Sequence, residues 1–476
     1  MRIGQKIFYS NYTNRRELSG DEGDLTDNPQ EPAQSPKQVE ITEPELERDP
    51  ATRPFVTPGL SPEVLLRHSE EDLEGWPPIF RSLRNPDFRM FWGGNFLSNI
   101  GTWMQNIAQG WLVLELTNSS FWLGMVGFAA SFPFLVFTLY GGVIADRVDK
   151  RKLLLATQTA MMLLAFAMAA LTHFKIITIG SLAALAFANG IAAALNAPSY
   201  QAMVPQLVRR SDLSNAIALN SVQFHLSRIL GPTLGGYTMA WIGIAGNFFL
   251  NGLSFLAVLF AIARIRYPRQ LESRSESMWT SLRAGIAYVY RMKQMLALVF
   301  LALTISLLVM PFLTFIPYFA RNTLHTDARG LGLLMACSGL GAVCGALSIA
   351  YAGHIRRRGR HIVGAGVIAM CGLIVFCYSH TFALSAACMG VEGFFVISMI
   401  APINMVMQEL SSDEMRGRVM SINATAFLGL PPIGNLFAGV ISRWLPVEHA
   451  IAGMIAVAMA VFIGYYTFSP PLRELD

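Results

Sequence analysis

GGVIADRVDKRK, residues 141–152, carries six charged side chains in seven consecutive positions, and it stands between two apolar runs. FLVFTLY precedes it at 134–140, and LLLATQTAMMLLAFAMAAL follows at 153–171. A helix needs about 20 mostly apolar residues to cross a bilayer. The flanking runs are therefore expected to lie in lipid, and the charged block to be a turn in water at the membrane edge.

The same alternation continues from residue 88 to the end of the chain. Apolar runs fall at 88–114, 121–144, 153–173, 177–200, 214–239, 244–264, 295–320, 330–352, 362–379, 382–405, 419–442 and 449–469, which predicts twelve transmembrane helices. The fifth and eleventh are diluted by polar residues, Gly and Pro. Composition agrees: of 476 residues 53% are hydrophobic and 14% charged, against about 25% charged in soluble domains.

Orientation follows from basic residues in alternate loops, because cytoplasmic loops keep an excess of Lys and Arg. The loops after the second, fourth, sixth, eighth and tenth runs hold 19 Lys/Arg, and the others hold four: Lys175, Arg321, Arg329 and Arg443. This strict alternation predicts that both termini are cytoplasmic. It also assigns the net charge of +5 to membrane-edge anchoring and excludes nucleic acid as the partner.

Residues 1–85 form a separate segment. Its first 75 residues carry 8 basic and 16 acidic side chains and few apolar runs. Such a composition cannot bury enough surface to offset its ordering entropy, so a disordered, acidic cytoplasmic tail is expected. It lacks the apolar core and cleavage site of a signal peptide. Cys337, Cys344, Cys371, Cys377 and Cys388 all lie in apolar runs without a CxxC spacing. They are expected as small membrane hydrophobes, with neither disulfides nor a metal site.

A loop at 265–294 divides the body into 86–264 and 295–476, six runs each, and the halves repeat weakly. PSYQAMVPQLVRRSDLSNAIALN (198–220) parallels PINMVMQELSSDEMRGRVMSIN (402–423); Leu207, Asn220, Gly231 and Gly236 recur 203 positions on as Leu410, Asn423, Gly434 and Gly439. The opening block recurs as AGHIRRRGRH (352–361), which keeps the bases and loses the acids. Two related six-helix halves are the construction of a rocking-bundle transporter.

At this point GGVIADRVDKRK resembles the second-to-third-helix signature of the major facilitator superfamily. RILGPTLGG (228–236) is similar to the fifth-helix motif of its drug:proton antiporter branches, and the Arg before Gly-Pro-x-x-Gly-Gly particularly resembles the macrolide-efflux and enterobactin-exporter branch. The resemblance covers roughly residues 85–470. It implies an all-α membrane protein of two pseudo-symmetric six-helix bundles in the cell membrane, alternating access, a bias towards export and a monomer. It also places Gly142, Asp146, Arg147, Asp149 and Arg151 in a gating motif between the halves, although many members have Gly where Asp149 stands. Charge chemistry is compatible with a latch, since an ion pair broken on rocking is bistable; a plain topological anchor is the alternative, though an anchor needs only bases.

Other residues stand out on chemistry. Gly231 and Gly235 are four apart and Gly236 adjoins, which suits close helix packing; Pro232 removes a backbone hydrogen bond and can bend the helix. Arg228 is the one base placed well inside a run and Glu392 the one acid placed near the middle of one, and intramembrane charges mark function by default. Glu392 is a candidate proton carrier or cation contact, or else a structural partner of Arg228 or of a helix dipole. His225, one turn earlier, can titrate or simply pack. Asn95, Asn99, Thr102, Gln105, Asn106 and Gln109 follow steps of three and four on one face, expected as cavity wall or as interhelical hydrogen bonding; Asn189 and Asn196 invite the same choice.

The expected activity is secondary active transport, with proton-coupled efflux of an amphiphilic drug, siderophore or metabolite. The expected partners are that substrate, protons and the lipid bilayer, without a cofactor or metal. A lipid or lysolipid carrier, a non-proton facilitator and a non-transporting sensor or scaffold are the alternatives. An enzyme is disfavoured, since no nucleophile–base set, metal-ligand cluster or phosphate loop is found.

Overall fold

Lipid offers no hydrogen-bond partners, so a crossing segment must satisfy its own backbone. The computed structural model describes residues 77–147, 149–265, 278–353, 355 and 357–475, and these form helices and no strand. A 3₁₀ turn (Pro78–Arg84) leads into α1 (Pro86–Thr117). There follow α2 (Ser120–Arg147), α3 (Lys150–His173), α4 (Ile179–Met203) and the 52-residue α5 (Leu213–Arg264). The second half holds α6 (Met278–Arg291), α7 (Lys293–Thr304), α8 (Pro311–Tyr318), α9 (Ala328–Ala352), α10 (Arg358–Cys377), α11 (Phe382–Glu409), α12 (Asp413–Gly429), α13 (Pro431–Ile441), α14 (Val447–Phe468) and α15 (Pro470–Arg473).

Short polar residues start these helices where the sequence leaves the membrane. Asn85 accepts from the backbone N–H groups of Asp87 and Phe88, and Pro86 occupies the first turn, where an N–H has no helical partner. Asp149 caps α3 through Arg151 N, 2.9 Å. Thr178 and Ser181 form a reciprocal capping box at α4, and Asp327 accepts from Arg329 N and Gly330 N at α9.

All twelve expected segments are helical, with differences that have local causes. Among the described residues, ten helical stretches are long and apolar enough to cross a membrane. α1 has the length at 32 residues, but its amides keep it outside that group. The expected fifth and sixth runs are joined in α5, which is broken at Gly243 (φ 74°, ψ 176°). Asn247 Nδ2 nevertheless bonds Gly235 O and Thr238 Oγ1, each at 3.1 Å. In a straight helix twelve residues span roughly 18 Å, so the chain doubles back and residues 244–264 lie beside 213–242. The seventh run is α7 and α8 with π turns at Ile305–Val309 and Phe319–Thr323. The eleventh divides at Leu430, ahead of Pro431 and Pro432, into α12 and α13.

The loops gather at two ends. At the basic end, Ser82 Oγ donates to Asn215 Oδ1 (2.7 Å), Arg81 pairs with Asp212 (2.7 Å), Tyr288 Oη donates to Leu410 O and Arg358 pairs with Glu409. At the other end, Glu115, His173, Gly243 and Asp327 border one depression. The halves repeat in contacts as well as in sequence. Asn220 accepts from Tyr200 Oη (2.5 Å), and Asn423 donates to Asn404 (2.6 Å), each tying the turn before its helix. Gly231 lies against Ile100 and Trp103 of α1, and Gly434 against Leu307 and Pro311 at the equivalent position. Gly236 meets Ala328 and Gly332 of α9, whereas Gly439 meets Phe121 and Gly124 of α2. The last two contacts join one half to the other.

Candidate functional site

Between the halves lies a cavity of about 370 Å³. α1 contributes Thr102, Trp103, Asn106 and Gln109, α2 Ser131 and Phe134, and α4 Asn189; from the second half come Thr314, Leu331, Met335 and Asn435. No charged side chain is among its lining residues. The wall is apolar with scattered amides and hydroxyls, the make-up of a pocket for amphiphilic small molecules. Asn435 is 4% exposed, and its Oδ1 has no hydrogen-bond partner among the described residues. A buried acceptor left in that state is costly until a donor reaches it.

At the basic-poor end the two halves meet along two glycine seams. A Cβ at Gly124 would stand 2.6 Å from Asn435 O and 2.7 Å from Gly439 Cα. A Cβ at Gly332 would stand 2.7 Å from Pro232 O and 3.3 Å from Thr233 Cα. Only glycine allows backbones this close. Arg443 adds a cation–π contact to Phe121, 4.8 Å from the ring centroid, across the first seam.

Glu392 lies elsewhere, in the second half beside a cavity of about 20 Å³ lined by Met310, Phe312, Met370 and Met399. It is 4% exposed and accepts a hydrogen bond from Ser338 Oγ at 2.6 Å. Its helix is held tightly to α9, for a Cβ at Gly393 would collide with Ser338 O. Arg228, on the first half, acts electrostatically on both Glu392 and His225. The neighbouring Ile229 packs on Gly339, next to Ser338. Arg228 and Glu392 thus face each other in electrostatic terms across the α5–α9 seam, with no ion pair of 4 Å or less between them among the described residues.

The polar stripe of α1 serves two purposes. Thr102, Asn106 and Gln109 line the cavity, as does Asn189. Gln105 instead accepts from Asn251 Nδ2 at 2.7 Å inside the first half, Asn95 bonds its own helix at Phe91 O, and Asn196 accepts from Thr157 and Gln158. Asn99 is not among the lining residues. In the gating motif, Gly142, Asp146 and Arg147 belong to α2, and their side chains lie outside the described residues. Asp149 is the cap of α3, and Arg151 donates to Ile262 O (3.1 Å) and Ala263 O (2.6 Å), the open carbonyls ending α5. Asn435 and Thr314 were not singled out by the sequence. Asn435 follows the repeated Gly434, a position that drew notice only for its glycine.

Two helical halves that meet along paired glycine seams around a central cavity with no charged lining residue among the described ones are the construction of a transporter. The sequence model of the transmembrane secretion effector family matches residues 77–476. The chain therefore belongs to that family of the major facilitator superfamily. It is 20% identical over 400 residues to the staphyloferrin A transporter of Staphylococcus aureus, covering 81% of this chain and 97% of that protein. It is 25% identical over 382 residues to the multidrug efflux pump Tap of Mycolicibacterium fortuitum, covering 78% and 92%. Its fold is shared with a bacterial homologue of the human lysosomal transporter Spinster in an inward-facing, unoccupied conformation, at TM-score 0.63, 12% identity and coverage of 84% and 98%.

Proposed function

We propose that this protein exports amphiphilic small molecules by alternating access, driven by proton entry. The observation that carries the proposal is the cavity between the halves: uncharged, dotted with amides, and holding the unpartnered Asn435 acceptor. A substrate with a broad apolar body and a few hydrogen-bond donors fits that lining, and a multidrug efflux pump is among the relatives that support export. Twelve crossings in two bundles, 86–264 and 295–476, rock about this cavity. Both termini and the basic loops face the cytoplasm, where basic residues are retained, and Asp146 and Arg147 act in the closure at that side.

Proton coupling is assigned to Glu392. An ionised Glu392 is attracted to Arg228 across the α5–α9 seam, and a protonated one loses that attraction while keeping a hydrogen bond to Ser338. Protonation therefore changes the relative free energy of two arrangements of the halves, which is what a coupling group must do. Glu392→Gln mimics the protonated state. In proteoliposomes it should abolish substrate movement driven by an imposed pH gradient while leaving substrate binding intact. Wild-type gradient-driven transport by a folded Glu392→Gln protein would remove Glu392 from the coupling path.

A further inference from the structure

We propose that a groove at the basic end, between α10 and α11, binds one anionic phospholipid from the adjoining leaflet. The groove has a volume of about 420 Å³ and is lined by Arg357, Arg360, His361, Gly364, Ala365, Ile368 and Phe395. His361, Gly364 and Ile368 are spaced by three and four, so they form one stripe along α10, and Arg357 stands immediately before the helix in a left-handed conformation. Its start is basic and its continuation is apolar.

The chemistry changes along the stripe as it does along a lipid. Arg357 and Arg360 are exposed at the mouth, where guanidinium groups suit the oxygens of a phosphodiester. His361 Nε2 is held 3.0 Å from Ser398 O, which joins α10 to α11 at the floor. Beyond it a Cβ at Gly364 would meet nothing within 4 Å, so an open slot runs past the helix. Ile368, 44% exposed, and Phe395 continue the wall. The ten steps of helix from Arg358 to Ile368 rise roughly 15 Å, about the hydrocarbon depth of one leaflet.

The charge is complementary to an anion. No Asp or Glu is among the lining residues, and the nearby Glu409 is engaged by Arg358, which is not a lining residue. This segment is the second copy of the opening charged block, and it is the copy that retained the bases without the acids. An inorganic anion would use the mouth and leave the apolar slot empty, so the full lining selects a lipid. The bound lipid would brace α10 against α11, the helix that carries Glu392.

Native mass spectrometry of the full chain, reconstituted with equal phosphatidylglycerol and phosphatidylethanolamine and released in mild detergent, tests the site. The wild type should retain one phosphatidylglycerol in preference to phosphatidylethanolamine, undisturbed by millimolar inorganic phosphate. Arg357→Gln and Arg360→Gln should each lower retention about five-fold. Gly364→Leu should lower it with the charge unchanged, and its open surroundings keep the fold, as an unaltered melting temperature would verify. Wild-type retention in all three variants, displacement by phosphate or indifference between the two lipids would overturn the proposal. An equal loss in Arg358→Gln would do the same, since it would mark a general effect of basic charge.

Discussion

Gly124→Ala would test the seam at the basic-poor end. The new Cβ would lie 2.6 Å from Asn435 O and 2.7 Å from Gly439 Cα, whereas ordinary contacts begin at 3.4 Å. Both obstacles are backbone, so no rotamer relieves them and α2 and α13 must separate by several tenths of an ångström. Overpacking of this kind costs about 1–3 kcal/mol. It falls only on the conformation in which the seam is shut, because the surfaces part when the halves rock. At tenfold per 1.4 kcal/mol, the ratio of open to shut should rise roughly 5- to 150-fold. The assay is a distance distribution between spin labels at Ile176 and Trp444, both exposed near this end and on opposite halves, with the exposed Cys344 and Cys371 replaced by Ser. A longer-distance population should grow in the variant. An unchanged distribution in a folded protein would refute the assignment of this seam as the moving closure.

Asn251→Leu removes the donor to Gln105 and leaves a buried amide oxygen unpaired, so stability should drop by about 1–3 kcal/mol, read as a lower melting temperature with KM little changed. Gln109→Ala and Asn435→Leu touch the cavity instead and should raise KM for transport; melting should stay near wild type in the first and not fall in the second, which removes a buried unpartnered acceptor. Gly243→Ala places a side chain at φ 74°, ψ 176°, a region open essentially to glycine alone; a loss of about 1–3 kcal/mol is expected in thermal unfolding.

The segment pattern was legible because each crossing must be nearly all apolar and each turn must be polar, a constraint strong enough that every expected run is helical. What it missed depends on shorter-range forces. Nothing in the apolar run at 244–264 announces that residues 213–264 stay helical up to a single reversed glycine. The doublet Pro431-Pro432 does announce a break, yet it lies inside a run long enough to span. Site residues were harder to read. A face of amides at helical spacing looks the same whether it meets water or another helix, and only Asn251, 146 positions along the chain, separates Gln105 from its cavity-lining neighbours. Arg228 and Glu392 were visible as isolated charges in apolar sequence. Ser338, which holds Glu392, was invisible because a lone Ser in a membrane helix is unremarkable.

The central claim is that a gradient of protons drives an amphiphile through the cavity between the halves. Transport of a panel of amphiphilic antibiotics and dyes into everted vesicles, with and without an imposed pH gradient, tests it most directly. At least one compound should accumulate against its own gradient and leak back when an ionophore collapses the proton gradient. Accumulation of none of them under any gradient, by protein shown to be folded and inserted, would contradict it.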